Sequence, residues 1–138
     1  MKITADTNLL VRALVRDDAA QAALAEAALG GAEAVALPLP MLCEVAWVLR
    51  RGYRLPARDV ASALRDLLDQ EVVVANRAAA TAGLAHLEAG GDFADGVIAH
   101  EGRELGGAAF VTFDAGAAGI ERGRGHAAYV PGEADAAP

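Results

Sequence analysis

The stretch AVALPLPMLCEVAWVLRR, Ala34–Arg51, decides how the chain is read. Its first six residues, Ala34–Leu39, form a short apolar run without strict alternation. That is the pattern of a strand buried on both faces of a parallel sheet. A proline follows at Pro40, a residue that suits the first turn of a helix. From there to Arg51 the segment reads as a helix, with Met41, Val45 and Val48 at helical spacing. The same succession recurs on either side. Lys2–Ala5, Glu71–Ala75 and Ala108–Phe113 read as further strands, and Ala127–Val130 as a fifth. Asp17–Leu29, Asp59–Gln70, Arg77–Ala89 and Phe93–Leu105 read as helices. In Asp59–Gln70 the apolar residues Val60, Leu64, Leu67 and Leu68 share one face. Gly-Gly pairs beginning at Gly30, Gly90 and Gly106 follow three of the helices, where a left-handed residue ends the spiral. Alternation of this kind predicts an α/β fold around a central parallel sheet of four to five short strands, covered on both faces. Ligands of such sheets bind beyond the carboxyl ends of the strands.

Composition narrows the classes. A chain of 138 residues, 54 % hydrophobic, is long enough for one folded domain with a real core. The reading is a single domain over residues 1–130 and a disordered tail over 131–138. No apolar run approaches the ~20 residues of a membrane span. The N-terminal MKITADTNLL lacks the layout of a signal peptide, so a cytoplasmic protein is expected. The lone Cys43 excludes an internal disulfide and a cysteine-based zinc site, and it reads as a buried thiol. His86, His100 and His126 are scattered and read as structural or surface residues. Trp47 reads as core, or as part of a surface that receives a partner helix. A net charge of −7 argues against nucleic-acid binding through a basic surface.

Four acids stand where the sheet would place a ligand. Asp6 ends the first strand and Asp114 ends a later one. Glu44 shares its helix with Met41, Val45 and Val48, and at that spacing it interrupts an apolar stripe. Asp95 lies in line with Ile98, Ala99 and Gly102. In GGDFADGVIAHE, Gly90–Glu101, Asp92 suits the helix cap and Asp95 the first turn. Capping also accounts for Asp6 and Asp114 singly. It does not account for four acids from distant segments on one rim. Clustered carboxylates repel and need counter-charge. Oxygen-only donors select hard cations such as Mg²⁺ or Mn²⁺. Such an ion can activate water and stabilise a leaving alkoxide, which is the chemistry of phosphodiester hydrolysis.

The segments TADTNLLVRAL, CEVAWVL, DFADGVIAHEG and VTFDAG, in that order, resemble the motifs of PIN-domain ribonucleases. They are most similar to the VapC-type toxins of bacterial toxin–antitoxin pairs. The resemblance runs from Lys2 to Val130. It implies a three-layer α/β/α sandwich and an Mg²⁺- or Mn²⁺-dependent endoribonuclease that acts on RNA. It implies a catalytic and metal-binding quartet of Asp6, Glu44, Asp95 and Asp114, with Asn8, Asp92 and Thr112 in support. Homodimerisation and inhibition by a VapB-like antitoxin are implied as well. Arg12 and Arg50, with Arg16, Arg51 and Arg54, are candidate contacts for the RNA, although solvated helix faces explain them too.

Two other classes compete. A receiver-type phospho-acceptor or a haloacid-dehalogenase-like phosphatase also places acids at strand ends. Both use a lysine near the later strands, and the only lysine here is Lys2. A binding module without turnover would keep the acids for a structural metal or a basic partner.

Overall fold

The computed structural model describes residues 1–133. The final residues of the expected tail, 134–138, lie outside the described part. The order of elements is β1 (Lys2–Thr4), α1 (Thr7–Val15), α2 (Ala19–Gly30), β2 (Ala34–Ala36), α3 (Leu39–Trp47), α4 (Ala57–Leu68), β3 (Val73–Val74), α5 (Arg77–Glu88), α6 (Phe93–Glu104), β4 (Phe110–Val111), α7 (Ala115–Gly123) and β5 (Ala128–Tyr129). A π-helical turn, Val48–Gly52, extends α3. The chain divides into two compact units, Met1–Ala80 and Thr81–Pro138, with the division inside α5.

In the first unit β1, β2 and β3 form a parallel sheet in that order. Ile3 pairs with Val35, and Val35 with Val73. The central strand therefore carries Val35, 2 % exposed, into the core with Leu10, Leu42, Val45, Leu49, Val60 and Leu64. Helix α4 supplies Val60, Leu64, Leu67 and Leu68 from one face, as its spacing predicts. Arg77 pins the start of α5, since its guanidinium donates to the carbonyls of Leu68 and Val73. In the second unit β4 and β5 form a separate parallel ladder, Phe110 with Ala128 and Val111 with Tyr129. Ala118, Ala128 and Val130 pack beside it with Phe110.

All five expected strands are present and all pairings are parallel. The hydrogen bonds run in two ladders, of three strands and of two, where one central sheet of four to five was expected. Strands of two or three residues offer too few bonds for the sequence to reveal which strand pairs with which.

Two helices went unread, α1 and α7. The end of the third helix also differs. The Tyr53 N–H donates to the Val48 carbonyl, an i→i+5 bond of 3.1 Å, in place of an α-helical turn. Trp47 is 62 % exposed, so the core reading for it is overturned. The apolar face of α3 is made by Met41, Leu42, Val45 and Ala46, and residue 47 falls on the other side. Cys43 is half-buried.

Leu42 is fully buried while Leu24 is 70 % exposed. Leu42→Ala should cost about 2–5 kcal/mol. Leu24→Ala should stay within about 0.5 kcal/mol of the parent. Urea unfolding of the two variants checks the assignment of the core.

Candidate functional site

The backbone geometry of each strand end explains why an aspartate stands there. Asp6 has extended dihedrals and caps α1, its Oδ1 accepting the Leu9 N–H at 3.0 Å. Asp114 caps α7 in the same way through the Ala117 N–H, also at 3.0 Å. The Thr112 hydroxyl accepts the Asp114 N–H at 3.0 Å and fixes the turn between β4 and the cap. A capping carboxylate retains lone pairs beyond the one it uses. Capping therefore leaves room for a further role.

Asp92 differs from both. It holds the N-cap position of α6 with φ −92° and ψ 137°, yet its carboxylate makes no capping bond. The Asp95 N–H, which such a cap would satisfy, already donates to the Asp92 carbonyl at 3.2 Å. The expected cap is thus a cap by position only.

The first unit contributes Asp6 and Glu44. Asp6, Asn8, Leu9 and Arg12 line a cavity of about 260 Å³ with Gln21, Leu24 and Ala25. Arg12 is tied into a side-chain network. It donates to Gln21 at 2.6 Å, to Asp17 at 3.2 Å and to the Tyr53 hydroxyl at 3.2 Å. The Tyr53 hydroxyl in turn donates to Asp17. Arg50 donates to the Leu55 carbonyl at 2.8 Å and so closes the π-helical turn. Glu44 lies in the second turn of α3 and is exposed. Of the stripe expected around it Met41 and Val45 are buried, but the buried face turns through Leu42, Ala46 and Leu49 and leaves Glu44 outside it.

The second unit contributes Asp95 and Asp114, with Asp92. Asp95 is half-buried. Burial, foremost, pushes its carboxyl above the usual carboxylate range, and the charges of Asp92 and Asp114 push the same way. His86 acts in the opposite sense. A carboxylate held up by burial and by two neighbouring acids would be relieved by a bound cation, and by a hard one, since every donor is oxygen. Yet within neither unit, among the described residues, do three His, Cys, Asp or Glu side chains stand ready to hold a metal ion. The donors suit a divalent ion in kind, and each unit holds two members of the quartet.

The sequence reading missed the most heavily engaged acid of the second unit, Glu121. It is fully buried. His86 Nδ1 lies 3.2 Å from its Oε2. Arg103 and His126 Nδ1 each lie 3.0 Å from its Oε1. Arg124 adds charge at 3.6 Å. Burial alone would push this carboxyl up. The bonds from His126, His86 and Arg103 outweigh burial, and Glu121 titrates below its ordinary value. A signal was available. Ala117, Ala118 and Glu121 form one buried stripe of α7, so an acid does sit on an apolar face, but on a helix that had not been recognised.

The PIN domain family matches residues 3–122. No curated protein matches the chain. PIN domains are typically nucleases, they usually bind divalent metals, and they act on RNA or DNA. Among the described residues no helix is long and apolar enough to cross a membrane.

The two shifted acids make opposite predictions about pH. Glu121 titrates lower in the fold than in the unfolded chain. Its stabilisation is therefore present above the unfolded value and is lost as pH falls through the folded one. Glu121→Gln should cost about 3 kcal/mol near neutral pH, because its cationic partners lose their counter-charge, and should flatten the acid limb of the stability curve. Asp95 titrates higher in the fold, so its contribution is present at acid pH and shrinks as pH rises through the folded value. Asp95→Asn should therefore unfold later than the parent at neutral pH, with the gap closing toward acid. Urea midpoints measured from acid to neutral pH check both signs.

Proposed function

Because this chain belongs to the PIN domain family, we propose that it is a metal-dependent endoribonuclease and the toxin of a VapBC-type toxin–antitoxin pair. One observation carries the reading. The family match runs from residue 3 to residue 122, and all four acids of the resemblance, Asp6, Glu44, Asp95 and Asp114, fall within that span. On this proposal residues 1–130 act as one PIN-like domain in the cytoplasm. The chain pairs as a homodimer, and a VapB-like antitoxin holds it inactive.

The quartet would hold Mg²⁺ or Mn²⁺. When bound, such an ion supplies Lewis acidity to a phosphodiester and to the water that cleaves it. The chain's own residues supply the rest. Asp6 and Asp114 are fixed by the helices that they cap. Thr112 holds the turn that carries Asp114. Asp92 raises the demand of Asp95 for a cation. Asn8 stands beside Asp6 at the cavity, and Arg12 and Arg50 add positive charge for the RNA. The net charge of −7 makes bound metal the main source of attraction for a polyanion. Hydrolysis by water leaves a 5′-phosphate and a 3′-hydroxyl.

A second reading, a PIN module that binds without turnover, has one observation in its favour. Neither unit offers three metal donors among the described residues.

The purified chain incubated with RNA and Mn²⁺ should cleave it, and a chelator should stop the reaction. Asp95→Asn and Glu44→Gln should each lose at least about 100-fold in rate. Chelator-resistant cleavage, or 2′,3′-cyclic phosphate ends, would exclude the reaction proposed here. Intact RNA under all conditions, with metal bound, would favour the binding module. Expression of the chain alone should arrest growth, and expression of Asp95→Asn should not; equal growth would remove the toxin assignment.

A further inference from the structure

Trp47 is the only tryptophan of the chain, and it stands 62 % exposed on the side of α3 opposite the buried face. An indole left in water forgoes the burial that so large a ring ordinarily brings, so its place asks for a reason. Its surroundings narrow that reason. The residues about one turn away on the same side are Glu44, Arg50 and Arg51, all exposed and all charged. An apolar partner helix would find one ring set among charges and no apolar patch to cover. A flat ligand with π faces and negative charge would find a surface to stack on and cations beside it.

The segment that follows concentrates positive charge. Arg50–Arg58 holds four arginines and no acid, in a chain whose net charge is −7. Its backbone is clamped. The Tyr53 N–H donates to the Val48 carbonyl at 3.1 Å and the Leu55 N–H to the Leu49 carbonyl at 3.0 Å. The Arg50 guanidinium closes the same loop on the Leu55 carbonyl. The Tyr53 hydroxyl accepts from Arg12 and donates to Asp17. Arg58 faces Asp59 at 4.0 Å. Two arginines remain. Arg51 and Arg54 are exposed, and neither has a hydrogen bond or ion pair among the described residues. Arg54 also adopts φ 55°, in the left-handed region that a side chain of its size rarely occupies. The loop thus holds a cation in a costly conformation that no partner within the described fold offsets.

We propose that the exposed side of α3 and its π-helical turn is a binding track for single-stranded RNA, where Trp47 stacks on an unpaired base and Arg51 and Arg54 pair with the neighbouring phosphates. The inference rests on the reading of Glu44 as part of a nuclease site, and it names how the substrate is presented there. Trp47 follows Glu44 by one helical turn, about 4.5 Å along the axis at ~1.5 Å per residue. Nucleotides of a stacked strand follow one another at roughly 3.4 Å. The stacked base therefore belongs to a nucleotide about one or two steps from the bond that is cut. Stacking accepts any base with a free face, so the track selects unpaired RNA over duplex before it selects sequence. Stacking also needs no positive charge, which suits an acidic chain that must hold a polyanion.

The test follows Trp47 emission in the full chain as a short single-stranded RNA is added, with Mn²⁺ and again with a chelator. As the only tryptophan, Trp47 reports without a label. The RNA should quench its emission, and the same sequence in a duplex should need at least about 10-fold more to do so. Trp47→Ala should melt close to the parent and raise the KM for cleavage about 5–100-fold, more than it lowers kcat, and Trp47→Phe should recover most of that loss. In the quench titration Arg51→Gln and Arg54→Gln should each flatten the slope of log affinity against log salt by about 0.7. If the parent cleaves RNA while its emission stays unmoved, or while Trp47→Ala keeps the parent's KM, the inference falls and the nuclease reading stands. If RNA quenches the emission and nothing is cut with Mn²⁺ present, the nuclease reading falls and the track stands as a binding surface. An emission that shifts to the blue with chain concentration and ignores RNA assigns the face to a second copy of the chain and overturns the inference.

Discussion

Strands of two and three residues cannot hold a sheet together by their own hydrogen bonds, and this constraint shapes everything else in the molecule. Each ladder exists because helices bury it. In the first unit Val35 lies in the core with Leu10 of α1, Leu42 and Val45 of α3, and Val60 and Leu64 of α4, the five of them fully buried. Apolar contact supplies the stability, and the strands supply direction. Being parallel, they deliver the chain to one edge of each ladder, where a helix must start. A helix start needs an acceptor for its first N–H groups, and Asp6 and Asp114 provide it. The acids on which a nuclease would depend are thus installed by the requirements of folding. Chemistry has only to add to what the caps already place.

The second unit handles charge in two contrasting ways. Glu121 is buried and fully compensated, by two histidines and two arginines. Asp95 is half-buried and under-compensated, with Asp92 and Asp114 acting against it. A compensated buried acid is a structural element, and an under-compensated one is a demand for a cation. The contrast within one small unit separates the carboxylate that organises the interior from the one that, on the proposed reading, serves the site.

Much of this was legible in the residues. The five strands and helices α2 to α6 fall within a few residues of their expected bounds, because buried apolar runs and one-sided helical spacing are local signals. Helix α7 was not, since Gly116, Gly119 and Gly123 lower its intrinsic propensity and mask a stripe that Ala117, Ala118 and Glu121 nonetheless form. An acid on an apolar stripe needs compensation; Glu121 is such an acid, whereas Glu44 lies outside the buried face of its helix. The division of the strands into two ladders had no local signature, because pairing is a long-range property. Nor had the π-helical turn after Trp47, which rests on a shift in hydrogen-bond partner and not on a change of residue type.

The glycines flanking Asp92 and Asp95 have a consequence for how this segment can change over time. Gly91 and Gly96 are excluded from carrying any side chain by the His86 ring and, at Gly96, by the Ala82 carbonyl 2.4 Å from where a Cβ would stand. Asp92 and Asp95 make no side-chain bond that the fold needs here, whereas a side chain at Gly96 would meet backbone that no change at residue 86 could move. A descendant that had given up the chemistry would still spell two glycines separated by four residues, with a helix starting between them. The spacing of small residues, more than the acids between them, is the part of GGDFADG that ancestry is forced to preserve.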